Sequence, residues 1–144
     1  MVKVVAEEVF DRSADELFEL VADPEHEIAW EQGVTSIEKL TPGPVGRGSR
    51  YRAHFRRFGT LEYTFVDFDR GRHFVREATL PFGHVRHRFQ FHPMQDDGTE
   101  VVQTIQIERR GIWNLLVPLL SYFGRRYMRA LFDDMENALA RQRA

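Results

Sequence analysis

A chain of 144 residues, 42% hydrophobic and 29% charged, is long enough to bury a core and too apolar to be disordered, so one domain over 1–144 is expected. Its net charge of -2 excludes a bulk electrostatic pull toward nucleic acid or an anionic membrane. The absence of cysteine excludes disulfides, thiolate nucleophiles and cysteine metal ligands, and fits a reducing cytoplasm.

Residues 2–10, VKVVAEEVF, read as a valine-rich strand. Charges at Lys3, Glu7 and Glu8 leave no apolar run for a signal peptide. Two helices follow in DRSADELFELVADPEHEIAW. Ser13 and Glu16 have the spacing of a capping box, and Ala14, Leu17, Phe18 and Val21 recur at helical spacing. Asp23-Pro24 ends the first helix and starts a short second one, because proline suits a first helical position. VTSIEKL is a strand, and TPGPVGRG is a glycine- and proline-rich turn. That turn lacks the Gly-Lys-Ser/Thr ending of a phosphate loop.

Five segments then alternate with period two: SRYRAHFRR, TLEYTFVDF, HFVREATL, HVRHRFQFH and EVVQTIQIERR. Alternation with one apolar face predicts half-buried antiparallel strands, and the short glycine-bearing links between them predict hairpins. From Ile112 to Arg141 the period becomes helical. The uncharged run Ile112 to Gly124 is well short of the about 20 residues that a membrane span needs. Beyond it, Gly124, Tyr127, Met128, Leu131, Phe132, Met135, Ala138 and Leu139 share one face. Within it, Leu115, Leu119 and Tyr122 are apolar on the side that later turns charged, which offers a homodimer contact.

The fold class is therefore α+β: about seven curved antiparallel strands around one long C-terminal helix, with two short helices after the first strand. The inward parity of the strands carries three polar exceptions: Arg76, His87 and Gln103. Buried polar groups need partners, so these residues bond one another, orient a polar ligand group or do chemistry. In a catalyst, His87 would be the acid or base and Arg76 the oxyanion stabiliser. The six histidines have neither the spacing nor the carboxylate company of a metal site. The outward face carries Arg50, Arg52, Arg56, Arg86 and Arg88, but Glu62 and Glu77 interrupt it and no aromatics are interleaved for base stacking. No nucleic-acid partner is expected, nor a metal or other cofactor.

The segments SADELFELVADPEHEIAW, TPGPVGRGSRY and YMRALFDDMENALARQ resemble the helix pair, the glycine loop and the final helix of the SRPBCC or START-like superfamily. The resemblance implies a helix-grip fold and a hydrophobic-ligand cavity between sheet and C-terminal helix. It also implies a range of roles: carriers and sensors of lipids, quinones or polyketides, and cofactor-free polyketide cyclases. The expected lining is Trp30, Tyr51, Tyr63, Phe65, Phe74, Phe89, Ile105, Phe123, Tyr127 and Leu131, with Arg76, His87 and Gln103 as polar anchors.

Overall fold

The computed structural model describes residues 2–57, 59–80, 83–109 and 117–143. Strand β1 (Val2–Phe10) leads into helices α1 (Ala14–Val21) and α2 (Pro24–Trp30). Strands β2 (Val34–Lys39), β3 (Arg50–Phe55), β4 (Gly59–Asp69), β5 (His73–Leu80), β6 (Gly83–Pro93) and β7 (Thr99–Arg109) follow, then helix α3 (Val117–Arg143). The expected helical residues 112–116, including Trp113, Leu115 and Leu116, lie outside the described residues.

The seven strands form one antiparallel sheet in the order β1-β7-β6-β5-β4-β3-β2. From β2 to β7 the chain is a plain meander. β1 instead joins the far edge, beside β7, so α1 and α2 must carry the chain from one edge of the sheet to the other. That crossing lays both helices against the face that α3 also covers. Period-two patterning then decides which side chains meet there. Arg76 on β5 is directly opposite His87 on β6, and Gln103 on β7 is opposite Phe89.

Local chemistry fixes the crossing helices. Ser13 accepts the Glu16 amide at 3.2 Å, as a helix cap should. The reciprocal half of the expected box is replaced, because the Glu16 carboxylate turns to Arg12 at 3.2 Å. Asp23 caps α2 by accepting the Glu25 amide at 3.0 Å, with Pro24 at the first helical position. Gly71 in the β4–β5 turn has φ +83°, and a Cβ there would lie 2.9 Å from Asp15 Oδ1. The turn thus packs directly under α1, and both its backbone angle and its closeness call for glycine.

Phenylalanines fill one end of the space between sheet and helices. Phe18 of α1 meets the rings of Phe68, Phe74 and Phe91 at 5.4, 5.9 and 5.4 Å. Phe74 stacks on Phe89 at 4.9 Å. Phe68 joins this group through an irregularity in β4 between Phe65 and Asp67, which breaks the alternation and returns Phe68 to the inner side. Each ring pair adds about 0.5–1.5 kcal/mol beyond the area it buries.

Helix α3 docks through Met128, Leu131, Phe132, Met135, Ala138 and Leu139, all buried. Gly124 brings the helix close to β1, where an added Cβ would lie 3.7 Å from Val4 Cγ2. Phe123 departs from the inward position expected of it and is 54% exposed. It stands one residue step, about 100°, from the row centred on Gly124 and Leu131. Its ring leans on Tyr122 at 5.6 Å instead of on the sheet. No helix among the described residues is long and apolar enough to cross a membrane.

Candidate functional site

The middle of the inner face is polar. Arg76 is only 9% exposed, and its Nη1 donates to Glu27 Oε1 of α2 at 2.6 Å. Three rings enclose the guanidinium, with Tyr63, Phe74 and Phe89 centred 5.3, 5.6 and 5.7 Å from Cζ. Such cation–π contacts reach about 2 kcal/mol when water is excluded. Burial alone would make Arg76 easier to deprotonate, but the Glu27 charge overrides it and raises its pKa.

The network continues across the sheet. Arg76 Nη2 approaches His87 Nδ1 at 3.5 Å, and His87 Nε2 lies 2.9 Å from Gln103 Oε1. Gln103 Nε2 donates to the Met128 carbonyl of α3 at 3.1 Å. A carbonyl can only accept, so the Gln103 amide nitrogen faces Met128 and its oxygen faces His87. His87 must therefore carry its proton on Nε2, leaving the Nδ1 lone pair toward Arg76. Burial first, and the Arg76 charge second, lower the His87 pKa to about 3 against the opposing Gln103 bond. The imidazole is neutral and both of its nitrogens are engaged.

A carboxyl pair closes the other side. Glu27 and Glu31 are 3% and 4% exposed, one helical turn apart. Burial, then the neighbouring Glu27 charge and a hydrogen bond to Glu27, push the Glu31 pKa well up. Two carboxyl groups attract each other only with a proton between them, and Glu31 Oε2 itself has no hydrogen-bond partner among the described residues. Glu31 Oε1 accepts from Tyr127 Oη at 3.5 Å. Two buried hydroxyls, those of Tyr51 and Tyr63, have no hydrogen-bond partner among the described residues. Their rings stack at 5.8 Å, and burial first, with Glu27 among the contributing charges, raises both phenol pKa values. An unsatisfied buried hydroxyl costs about 1–3 kcal/mol.

Other residues expected at the site are placed as follows. Tyr51, Phe65, Phe74, Phe89, Leu131 and Ile105 are buried on the inner side, and Tyr127 is half-buried with its ring 6.0 Å from His87. Trp30 is buried and donates Nε1–H to the Leu20 carbonyl at 3.0 Å, which locks α2 to α1. Phe123 lies outside this group. Sequence reasoning missed Glu27 and Glu31. The available signal was Trp30, whose inward position places Glu27, three residues earlier, on the same helix face.

The convex face is different in kind. Arg52 bridges Glu38 and Glu62 at 3.1 and 3.4 Å, and Arg86 pairs with Glu77. Two surface grooves are formed by described residues. One, of about 480 Å³, runs between β1 and α3 beside Val5, Tyr122 and Arg129. The other lies on the convex face near Arg47 and Arg88. No group of three His, Cys, Asp or Glu residues with metal-binding geometry occurs among the described residues.

The family described as polyketide cyclase/dehydrase and lipid transport matches residues 1–141. The chain belongs to that family. Its fold is the helix grip of the START-like superfamily. A START superfamily protein from Mycobacterium smegmatis superposes with a TM-score of 0.83 at 15% identity, covering 97% of this chain and 98% of that one. The Zhui aromatase/cyclase from a Streptomyces species gives 0.82 at 17% identity, covering 99% and 95%. A norcoclaurine synthase point mutant from Thalictrum, bound to a transition-state analogue, gives 0.77 at 13% identity, covering 99% and 96%. At these identities the likeness concerns the fold. No curated protein matches the chain.

The buried pair yields a mutational prediction. Glu27→Gln should destabilise the protein by about 3–5 kcal/mol, because it strands the Arg76 charge in an apolar shell. Removing both charges with Glu27→Leu and Arg76→Met together should recover most of that loss. Urea denaturation of the two variants checks it, and a double variant worse than the single one would refute it.

His87 yields a pH prediction. Between its ordinary value of 6.5 and about 3, the unfolded chain binds a proton that the folded protein refuses. Stability present above pH 6.5 is therefore lost on acidification, by up to about 1.4 kcal/mol per pH unit. Glu31 acts oppositely: its contribution is full below its ordinary value of 4.5 and fades as pH rises through its higher folded value. His87→Gln keeps Glu31 and removes only the first effect. Its destabilisation relative to wild type should shrink as pH falls below 6.5, and an unchanged difference would count against a buried neutral imidazole.

Proposed function

We propose that this protein binds a small hydrophobic molecule carrying a polar group, as a carrier or sensor, on the inner face between sheet and α3. A lipid, an isoprenoid quinone or a polyketide-like compound has the required character. The observation that carries this reading is the pair of unpartnered hydroxyls, Tyr51 and Tyr63, buried beside the Arg76–Glu27 ion pair within an apolar shell. Hydrogen-bonding capacity left unused in such a place destabilises the empty protein and rewards a ligand that uses it. Family membership supports the same reading. The absence of cysteine suits a cytoplasmic setting. The cross-strand pairing of the convex arginines gives no reason to add a nucleic-acid partner.

A cofactor-free polyketide cyclase is the alternative, with His87 and Arg76 as its chemistry. The site geometry favours it less. A base needs a lone pair free for substrate, whereas the His87 Nδ1 faces Arg76 and Nε2 is committed to Gln103. Arg76 is likewise committed to Glu27.

Self-association is a separate proposal. Leu119 and Tyr122 are 47% and 55% exposed, Phe123 is beside them, and Leu115 lies outside the described residues. A second copy covering Leu119 and Tyr122 would remove this apolar surface from water.

Two outcomes are expected. Native mass spectrometry after gentle purification should find a bound small molecule, and a hydrophobic dye should be taken up and displaced by lipid. Tyr63→Phe should weaken that uptake by about three- to tenfold while leaving the ligand-free protein as stable or more so, since it deletes an unsatisfied hydroxyl. A protein that takes up neither dye nor lipid would end the binding reading. For self-association, sedimentation at micromolar concentration should show a wild-type dimer and a Leu119→Glu monomer; a wild-type monomer removes that case.

A further inference from the structure

The charges around the two free hydroxyls can be summed. Arg76 is cationic, and Glu27 is held against it at 2.6 Å with both side chains buried. His87 is an uncharged ring whose nitrogens are engaged by Arg76 and Gln103. Tyr51 and Tyr63 are phenols. Glu31 is either a protonated partner of Glu27 or a second negative charge. The site therefore totals zero in one state and is negative in the other. In neither state is it positive, although its most prominent residue is an arginine.

An inward arginine alone would capture a ligand carboxylate. Here that position is already taken by a carboxylate from the protein itself. An incoming carboxylate cannot share Arg76 without placing two or three carboxyl groups around one guanidinium. It cannot displace Glu27 either, because Glu27 is fixed on α2 between the Asp23 cap and the locked Trp30, and would be left as a bare buried charge. An uncharged hydroxyl or carbonyl meets no such obstacle, since it can bond the Tyr51 and Tyr63 hydroxyls directly.

We propose that Glu27 is a specificity residue, which by neutralising Arg76 in place makes the site select uncharged ligands bearing a hydroxyl or carbonyl over carboxylates of the same shape. This rests on the ligand-binding reading above and narrows it. The chemical class is an apolar, ring-rich molecule with a phenol, alcohol, ketone or amide group. A free fatty acid or any other carboxylate-ended lipid is disfavoured.

The test uses two probes of one shape, naphthamide and naphthoate, titrated calorimetrically into the full-length protein at neutral pH. Wild type should bind naphthamide tighter by about ten- to a hundredfold, the scale on which an uncompensated buried charge is penalised. General greasiness would give the same sign, so Glu27→Gln combined with Glu31→Gln is the deciding variant, the second change keeping Glu31 from ionising beside Arg76 in place of Glu27. It frees the Arg76 charge, and naphthoate should gain about tenfold or more while naphthamide changes little. Naphthoate binding as well as naphthamide in wild type would overturn the inference and leave the binding reading standing. A folded Glu27→Gln/Glu31→Gln protein with no gain for naphthoate would also overturn it. If that variant does not fold, Glu27→Asp, which keeps the charge but withdraws it from Arg76, takes its place: naphthoate should gain by about threefold or more, and no gain overturns the inference. If wild type binds neither probe, the binding reading and this inference fall together.

Discussion

The rest of the inner face is arranged around one buried ion pair, Arg76 with Glu27. An arginine on the inward parity of a central strand cannot remain unpaired in an apolar layer. The anion it requires comes from α2, the helix that the β1-to-β2 crossing lays over the sheet. The pair is thus where topology and electrostatics meet. The crossing must bring α2 to β5, and the fit of α2 must be good enough for a 2.6 Å contact. Buried pairs seldom add net stability over a well-packed apolar substitute. They do penalise every arrangement that leaves one charge alone, so this one fixes how the helix crossing seats on the sheet.

From that pair a chain of contacts runs to His87, to Gln103 and on to the Met128 carbonyl. It touches β5, β6, β7 and α3 in turn, and each link limits the next. The Met128 carbonyl orients the glutamine amide, the amide selects the histidine tautomer, and the histidine presents only a lone pair to the arginine. Both imidazole nitrogens and both polar atoms of the Gln103 amide are engaged. In this cluster the buried polar atoms without a partner among the described residues are the Tyr51 and Tyr63 hydroxyls and Glu31 Oε2. One polar cluster thus has a saturated part that holds the fold and, on the binding reading, an unsaturated part that a ligand would meet.

Much of this was legible in the sequence, for a definite reason. Strict alternation put Arg76, His87 and Gln103 on one face, and hairpin-length links made their strands neighbours. Period two is robust where ladders are regular, and it failed where one was not: the β4 irregularity turned Phe68 inward against its parity. Phe123 failed through angular phase. The apolar run around it gave no charged side by which to set the phase, and Gly124, the actual contact with β1, carries no side chain to announce itself. Glu27 and Glu31 were hidden because a short, acid-rich helix reads as solvated. Only the need of Arg76 for a counter-charge, combined with the inward Trp30, would have exposed them.

The likeness to solved structures, at 13–17% identity for the three compared, carries the backbone and little else. A helix grip encloses a concave sheet whatever lines it, so the fold supplies a place and the side chains supply the chemistry. In this chain the place is filled by phenylalanines at the α1 end and by a charge-balanced cluster in the middle. A site built for catalysis would leave a lone pair or a positive charge uncommitted, ready to act on a substrate. Here the imidazole and the guanidinium are both engaged inside the protein, and the atoms left unpaired in the cluster are the two tyrosine hydroxyls and one Glu31 carboxyl oxygen. On the binding reading proposed above, the charged groups would hold the wall in shape and the hydroxyls would meet what lies against it.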